Sequence, residues 1–387
     1  MILFIAPNPY RIKEHEGFLQ RVEAIDKLFS GESKIYFDDL KNTQEQARAL
    51  IDARIIYVHS VYNANKILRS YPRFAHKIIT DLHGVVPEEE EYANNWEMVA
   101  LTKEAEKTVF RYGHYFIAVT NAMVEHFEAK YPKAVKQTWI VLPVVDNLKY
   151  LRKKRIWNLN RKTVIYAGGV QPWQNIDKIK NTIIKTKDKY SFIILTHSPE
   201  AFTDLSGQNN ITISSVKPDE VKKYYKKAEL GFILREDNLV NRVACPTKLI
   251  EYIAYGVLPI VLTESIGDFK KMGYSFITLK DFLNSDISYK AIHEGININY
   301  QVYDNFTKQI KESVAKLLSL SDSIKVNHKN TVSQETVSLE IEYQKEHSKI
   351  LIYEYQIGVY KNKISDYANA IEYYRSKEAI NTDNSNN

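Results

Sequence analysis

The chain has 387 residues, enough for two domains of ordinary size and an appendage. It is 44% hydrophobic, 26% charged and 12% aromatic, and no apolar run approaches the ~20 residues that span a bilayer, so the composition predicts a soluble globular chain. Its one cysteine, Cys245, excludes an intrachain disulfide and a cysteine-rich zinc site, and the net charge of +6 is too modest to define a nucleic-acid binder.

The opening MILFIAPNPYR lacks the basic start and small-residue cleavage site of a signal peptide and reads as a first β-strand, which predicts a cytoplasmic protein. Apolar runs follow at 34–39, 54–60, 77–84, 115–120 and 139–145, separated by helical stretches. That alternation predicts a parallel sheet covered by helices, and the unbroken apolar character of IIYV and FIAV predicts strands buried on both faces. Residues 1–148 therefore read as one Rossmann-like domain.

Residues 149–162 read as a linker carrying Lys149, Arg152, Lys153, Lys154, Arg155, Arg161 and Lys162, interleaved with Tyr150 and Trp157. Such a cluster suits peripheral contact with anionic lipid or phosphate, and equally a solvated connection between domains. The strand pattern then restarts at 163–169, 191–197, 211–215, 230–235, 258–263 and 275–279, giving a second Rossmann-like domain over 163–325. Pro218 stands at the first position of one of its helices, and Gly256 just past the end of another. Two such domains in series predict an α/β fold with a cleft at the carboxyl ends of both sheets.

The last part, 335–380, reads as helical. Ile350, Ile357, Ile364 and Ile371 repeat every seven residues, as do Tyr353, Tyr360, Tyr367 and Tyr374, the spacing of a coiled-coil seam. The stripe over 350–374 either joins copies of the chain into a homo-oligomer or packs back on the body. Gly358 interrupts it and weakens the helix. The final NTDNSNN has a disordered composition.

The segment 230–261 carries the densest chemistry. A strand leads into a polar loop with Arg235 and Arg242, then a helix beginning at Pro246. The helix start attracts anions, Lys248 adds a full charge beside it, and Glu251, one turn after Thr247, can accept hydrogen bonds from ribose hydroxyls. Gly168 and Gly169 follow a strand and either admit a phosphate or sugar or form a plain tight turn. In TDLHGVVPEEEEY, His83 stands at a strand end before Gly84 and a helix opened by Pro87, where Glu88 to Glu91 match the helix dipole as solvated residues.

Pro246, Thr247, Lys248, Glu251, Tyr252, Gly256 and Pro259 form a Pro-Thr-Lys-x-x-Glu-Tyr run before a Gly-x-Pro strand. In this the chain resembles the family-4 retaining glycosyltransferases of the GT-B fold, especially bacterial polysaccharide enzymes. EGFLQRVEAID (16–26), FIAVTNAMVEHF (116–127) and VLPVVD (141–146) resemble other parts of that family in the same order, so the likeness covers about residues 1–320.

The resemblance implies transfer of a sugar from a nucleotide-diphosphate donor to a saccharide, lipid-linked or protein acceptor. It implies that His83 meets the donor sugar or the reacting centre, that Pro246, Thr247, Glu251, Gly168 and Gly169 bind the donor, and that Gly17 and Arg21 contact acceptor or phosphate; Arg21 reads equally as a surface charge, and His83 as a capping or core histidine. The family pairs its second glutamate with one eight positions earlier, where this chain has Val243. The basic pair that often follows the second domain's glycine loop is replaced by AGGVQPWQNID, so charge neutralisation falls to Lys248 with Arg235 or Arg242. No Asp-x-Asp ends a strand, which predicts transfer without a bound metal, and no other cofactor is expected.

Two rivals share these features: a nucleotide-sugar epimerase on the same fold, and a noncatalytic GT-B-like subunit using its heptads as a scaffold. A nicotinamide dehydrogenase lacks its G-x-G-x-x-G after the first strand, where APNPYR stands, and no nucleic-acid-binding module is present.

Overall fold

The computed structural model describes residues 1–12, 17–143, 161–324, 336–343, 349 and 353–368. They divide into two compact units. The first comprises Met1–Ala118, Val124–Ile140 and the chain from Lys316 onward; the second comprises Val119–Met123 and Val141–Ala315.

In chain order the first sheet and its helices are β1 (Ile2–Ile5), α1 (Gly17–Leu28), β2 (Lys34–Tyr36), α2 (Thr43–Asp52), β3 (Ile55–His59), α3 (Ser60–Ser70), β4 (Ile78–Leu82), α4 (Val86–Tyr92), α5 (Trp96–Tyr112), β5 (Tyr115–Ala118), α6 (Asn121–Lys130) and β6 (Thr138–Val141). Six strands lie in the order β2-β1-β3-β4-β5-β6, and β1 to β5 pair in parallel. β1, β3 and β4 are buried along their whole length, as central strands covered on both faces must be.

The second sheet is built from β7 (Thr163–Ala167), α7 (Ile176–Thr186), β8 (Ser191–Leu195), β9 (Ile211–Ser214), α8 (Pro218–Tyr225), β10 (Leu230–Ile233), α9 (Leu239–Val243), α10 (Thr247–Tyr255), β11 (Leu258–Val261), β12 (Ile277–Thr278), α11 (Leu279–Asn284) and α12 (Tyr289–Ser323). Its order is β12-β11-β10-β7-β8-β9, with every pair parallel. Alternate residues of one strand serve opposite cores: Val164 and Tyr166 join one cluster, Ile165 and Ala167 the other. Each of the predicted strands is present, shortened by a few residues at its loop end. The polar loop expected between 235 and 245 instead holds a short helix, α9, capped by the Asn238 side chain on the Asn241 amide.

The division of the chain differs from the sequence-based boundaries at three places, the first being Val119–Met123, which belong to the second unit. The first unit ends at 140 rather than 148, and residues 316–324, expected to close the second domain, belong to the first. The cause is local packing: Leu317 and Ser321 are buried, and the Arg54 guanidinium donates to the Ser321 carbonyl. Of the basic stretch 149–162, only Arg161 and Lys162 lie within the described residues. Arg161 donates to the Asp188 carbonyl, and the Lys162 ammonium sits 4.7 Å from the Tyr289 ring centroid.

The helical residues 353–368 pack on α3 and α5 through Tyr355, Val359, Asn362 and Asp366. The heptad stripe lies on the other face: Tyr353, Ile357, Tyr360, Ile364 and Tyr367 are 54–71% exposed. Ile350, Ile371 and Tyr374 lie outside the described residues. Among the described residues no helix is long and apolar enough to cross a membrane.

Candidate functional site

In the second unit, α10 positions the chemistry by the way it buries its other faces. Leu249, Ile250, Tyr252 and Ile253 are fully buried, each aliphatic side chain stabilising the docked helix by roughly 1.5–3 kcal/mol. Gly231 in β10 lets the helix come close, because a Cβ there would lie 2.5 Å from the Tyr252 ring, whose hydroxyl donates to the Ile165 carbonyl. This rotation leaves Thr247, Lys248 and Glu251 on the half-open side. The helix ends on Gly256 in the left-handed conformation at φ 65°, as its predicted capping position requires.

The start of α10 has no side-chain cap, as is also true of α3, α4, α5, α7 and α8, whereas Asn42, Asn238 and Thr278 cap α2, α9 and α11; what sets α10 apart is the pair Lys248 and Glu251 beside its start. Pro246, buried at the capping position, has neither hydroxyl nor carboxamide to offer; its carbonyl accepts the Leu249 amide at 3.0 Å, so an anion at this helix start would meet the amides of Thr247 and Lys248. Beside them the Lys248 ammonium bonds Glu251 Oε2 at 3.0 Å, and the Tyr225 hydroxyl donates to the same oxygen at 2.5 Å. Burial first, and the Glu251 charge second, push the Tyr225 hydroxyl well above its ordinary range, so it remains a donor at any working pH. Glu251 is thus fixed through one oxygen. Both partners are partly open, Lys248 at 33% and Glu251 at 18%.

The two arginine candidates separate. Arg235, half-buried at the end of β10, donates to Asn241 Oδ1 at 3.2 Å, and Asn241, wholly buried, donates in turn to the Glu236 carbonyl. Arg242 instead forms an exposed ion pair with Asp237 at 2.6 Å. At the end of β7 the Tyr166 hydroxyl donates to the Gly169 carbonyl, and a Cβ on Gly168 would lie 2.8 Å from that hydroxyl. Val243, at the place of the family's first glutamate, is buried, and its carbonyl accepts the Thr120 hydroxyl at 2.6 Å.

In the first unit, the carboxyl end of the sheet holds a cluster that sequence reasoning reached only in part. Arg21, on the helix that Gly17 opens, clamps Asp81 with two bonds of 2.9 Å, and the pair is 2% and 0% exposed. Tyr57 donates to Asp81 Oδ2 at 2.5 Å, and the His59 Nδ1 lies 3.8 Å from that oxygen. Burial alone would raise the Asp81 carboxyl, but Arg21 and then His59 hold it well below the usual carboxylate range. Arg21 is therefore not a surface charge. Its guanidinium faces Asp81.

His83 stacks on His59, with centroids 4.4 Å apart and planes 12° from parallel. His83 is exposed as a residue, yet the protein packed around its ring, with His59 second, pushes its pKa down to about 4. It is a neutral hydrogen-bonding imidazole at pH 7. Ser60, directly after His59, takes φ 78°, a left-handed conformation uncommon outside glycine, at this same carboxyl end of the sheet.

The glutamates after His83 are not simply solvated. Glu88 pairs with Lys130 at 2.7 Å, and Glu89 accepts the Val85 amide at 3.2 Å and is raised to about 7 by burial. A lone Asp81 in a strand and a lone His59 carry no motif, so only their meeting in space reveals them. The alternating position of Asp81, two residues before His83, is the one signal that could have pointed there.

No protein-family model matches the chain, and no curated protein matches it. Among solved structures it is similar to HepE of Anabaena, in complex with UDP and glucose, at 12% identity over 83% of this chain and 99% of that one, with a TM-score of 0.60. It is similar to sucrose-phosphate synthase of Thermosynechococcus elongatus at 12% identity, over 84% and 98% of the two chains, with a TM-score of 0.58. The fold is GT-B. Of a matched chain in the GtfA/B complex the present chain spans 57%, at 13% identity and a TM-score of 0.45. Within the GT-B fold, the α10 start and the His83 loop each stand at the carboxyl end of their own sheet, where parallel sheets present ligand-binding loops.

Proposed function

We propose that this chain is a glycosyltransferase that moves a sugar from a nucleotide-diphosphate donor to a saccharide or glycoconjugate acceptor. The observation that carries the reading is the uncapped start of α10 with Lys248 and Glu251 beside it. First-turn amides and Lys248 hold the diphosphate, and Glu251, fixed by Tyr225, accepts ribose hydroxyls. Arg235 lies nearer this role than Arg242, which is held in an exposed pair.

Cleavage of the anomeric C–O bond builds negative charge on the leaving diphosphate, so positioned cations and amides lower the barrier. His83, neutral at pH 7, bonds a sugar hydroxyl rather than carrying a proton as an imidazolium. The motif resemblance supports retention of anomeric configuration, with the leaving phosphate helping to deprotonate the acceptor, and the absence of a strand-end Asp-x-Asp supports a reaction without a divalent ion.

A second reading, a noncatalytic subunit that binds nucleotide, is favoured by the buried Val243 at the place of the family's first glutamate. One experiment separates them. Thermal shift and transfer assays with UDP-, GDP-, dTDP- and CMP-sugars, UDP-glucose first because HepE was solved with UDP and glucose, are run on wild type, Lys248→Ala and Glu251→Ala. The transferase reading expects stabilisation and turnover with one donor, lost in both variants. Stabilisation without turnover selects the subunit reading, and no response to any nucleotide overturns both.

A further inference from the structure

The helix 353–368 carries two lateral faces with different fates. Tyr355, Val359, Asn362 and Asp366, spaced four, three and four residues apart, face the body. The Tyr355 hydroxyl donates to the Leu101 carbonyl, Asn362 to the Ala100 carbonyl, and Lys103 pairs with Asp366 at 2.7 Å. Gly358 belongs to this docking: a Cβ there would lie 2.2 Å from the Glu104 carboxyl carbon. The glycine that weakens the helix in isolation leaves room for the Glu104 carboxylate of α5.

Because the body occupies that face, the stripe of Tyr353, Ile357, Tyr360, Ile364 and Tyr367 points away from it, each residue more than half exposed, with Ile357 and Tyr360 at its margins also bordering the cavities between this helix and α5. Five large apolar side chains in one row form a patch that isolated surface hydrophobics do not. The row follows a seven-residue period, and the same period continues in the sequence to Ile350, Ile371 and Tyr374.

We propose that a second copy of this chain covers the stripe, as a parallel two-helix coiled coil. The seam is narrow: it is flanked by Lys349, Glu354, Gln356, Lys361 and Lys363, whereas a helix lying in a membrane surface presents a broader apolar face. A heptad seam is self-complementary, as a two-fold interface requires. Charge selects the direction. In a parallel pair Lys349 faces Glu354 of the second copy, Gln356 faces Lys361, and Lys363 faces Ala368, with no like charges opposed; Glu354 and Lys363 keep their longer pairs with Arg111 at 3.9 Å and Glu97 at 3.7 Å on their own chain. An antiparallel pair crossing at the middle of the stripe sets Lys361 against Lys361 and Lys363 against Lys363.

The test uses the full chain in analytical ultracentrifugation, with Ile357→Glu/Ile364→Glu beside wild type. Wild type is expected to be a dimer and the variant a monomer or at least about tenfold weaker as a dimer, with little change in thermal unfolding, since both side chains are more than half exposed. A monomeric wild type, or a variant dimer of unchanged strength, overturns the proposal. So does a monomer that sediments with anionic phospholipid vesicles through this stripe. Direction is read from Cys245→Ser/Tyr353→Cys: a rapid disulfide between copies supports the parallel seam, and a dimer without one overturns it.

Discussion

The polar groups at the ends of the two sheets are built on opposite plans. In the first unit Arg21, Asp81 and Tyr57 satisfy one another inside the protein, with Arg21 and Asp81 almost fully withdrawn from water. In the second, Lys248 and Glu251 share a bond at a half-open helix start that nothing caps. Charges taken out of water must find partners within the fold, so a closed network is chiefly architecture; charges left partly hydrated can exchange partners with a ligand. Type of residue does not distinguish them: each network contains a cation, a carboxylate and a tyrosine.

The largest expected effect breaks the closed side. Asp81→Ala leaves the Arg21 guanidinium buried without its carboxylate, and urea unfolding should show a loss of roughly 3–5 kcal/mol. Replacing both partners, as Arg21→Met/Asp81→Leu, should recover part of that loss. Equal losses in the single and double variants would mean that the pair is not coupled.

On the open side the effect should fall on binding instead. Lys248→Ala should change stability by no more than about 1 kcal/mol, the scale of a partly exposed ion pair, while weakening nucleotide-diphosphate binding at least about tenfold in calorimetry. Arg242→Ala, which removes an exposed pair with Asp237, should leave both unchanged. A smaller effect follows from Tyr225→Phe. Loss of the hydroxyl frees Glu251 to swing toward Lys248, so binding should weaken by a few-fold, less than in Glu251→Ala, with the loss confined to nucleotides that carry both ribose hydroxyls.

The same contrast explains what the sequence revealed. Strands betray themselves because a central parallel strand must be apolar on both faces, and ILFI, IIYV and LPIV read that way. The α10 site was legible because its chemistry is local: helix start, Lys248 and Glu251 lie within one turn of each other. Arg21 and Asp81 are sixty residues apart, and the covering of Arg21 arises only when α1 docks on β4. The return of residues 316–324 to the first unit has no local signal for the same reason, since Ser321 meets Arg54 across 267 residues. Helix propensity alone marks Gly358 as a weakness, whereas its contact with Glu104, which Asn362 also meets across 258 residues, has no local signal.

The smallest effects are titrations in the loop between β4 and α4, and their signs differ. His83 is lowered to about 4, so the unfolded chain takes up the proton first; its contribution to stability is present above its ordinary value of 6.5 and is lost as pH falls toward 4. Its imidazole resonances should therefore titrate near 4, and a midpoint near 6.5 would remove the neutral histidine from the proposed mechanism. Glu89 is raised from 4.5 to about 7, so here the folded chain holds the proton more tightly, and the stabilisation present below pH 4.5 is lost as pH rises through 7. Glu89→Gln keeps an oxygen for the Val85 amide and cannot ionise. It should match wild type at pH 4.5, gain on it steadily between 4.5 and 7, and hold a constant lead above. A lead that does not change with pH would place the Glu89 carboxylate in water and return this loop to the solvated face that its run of four glutamates implies.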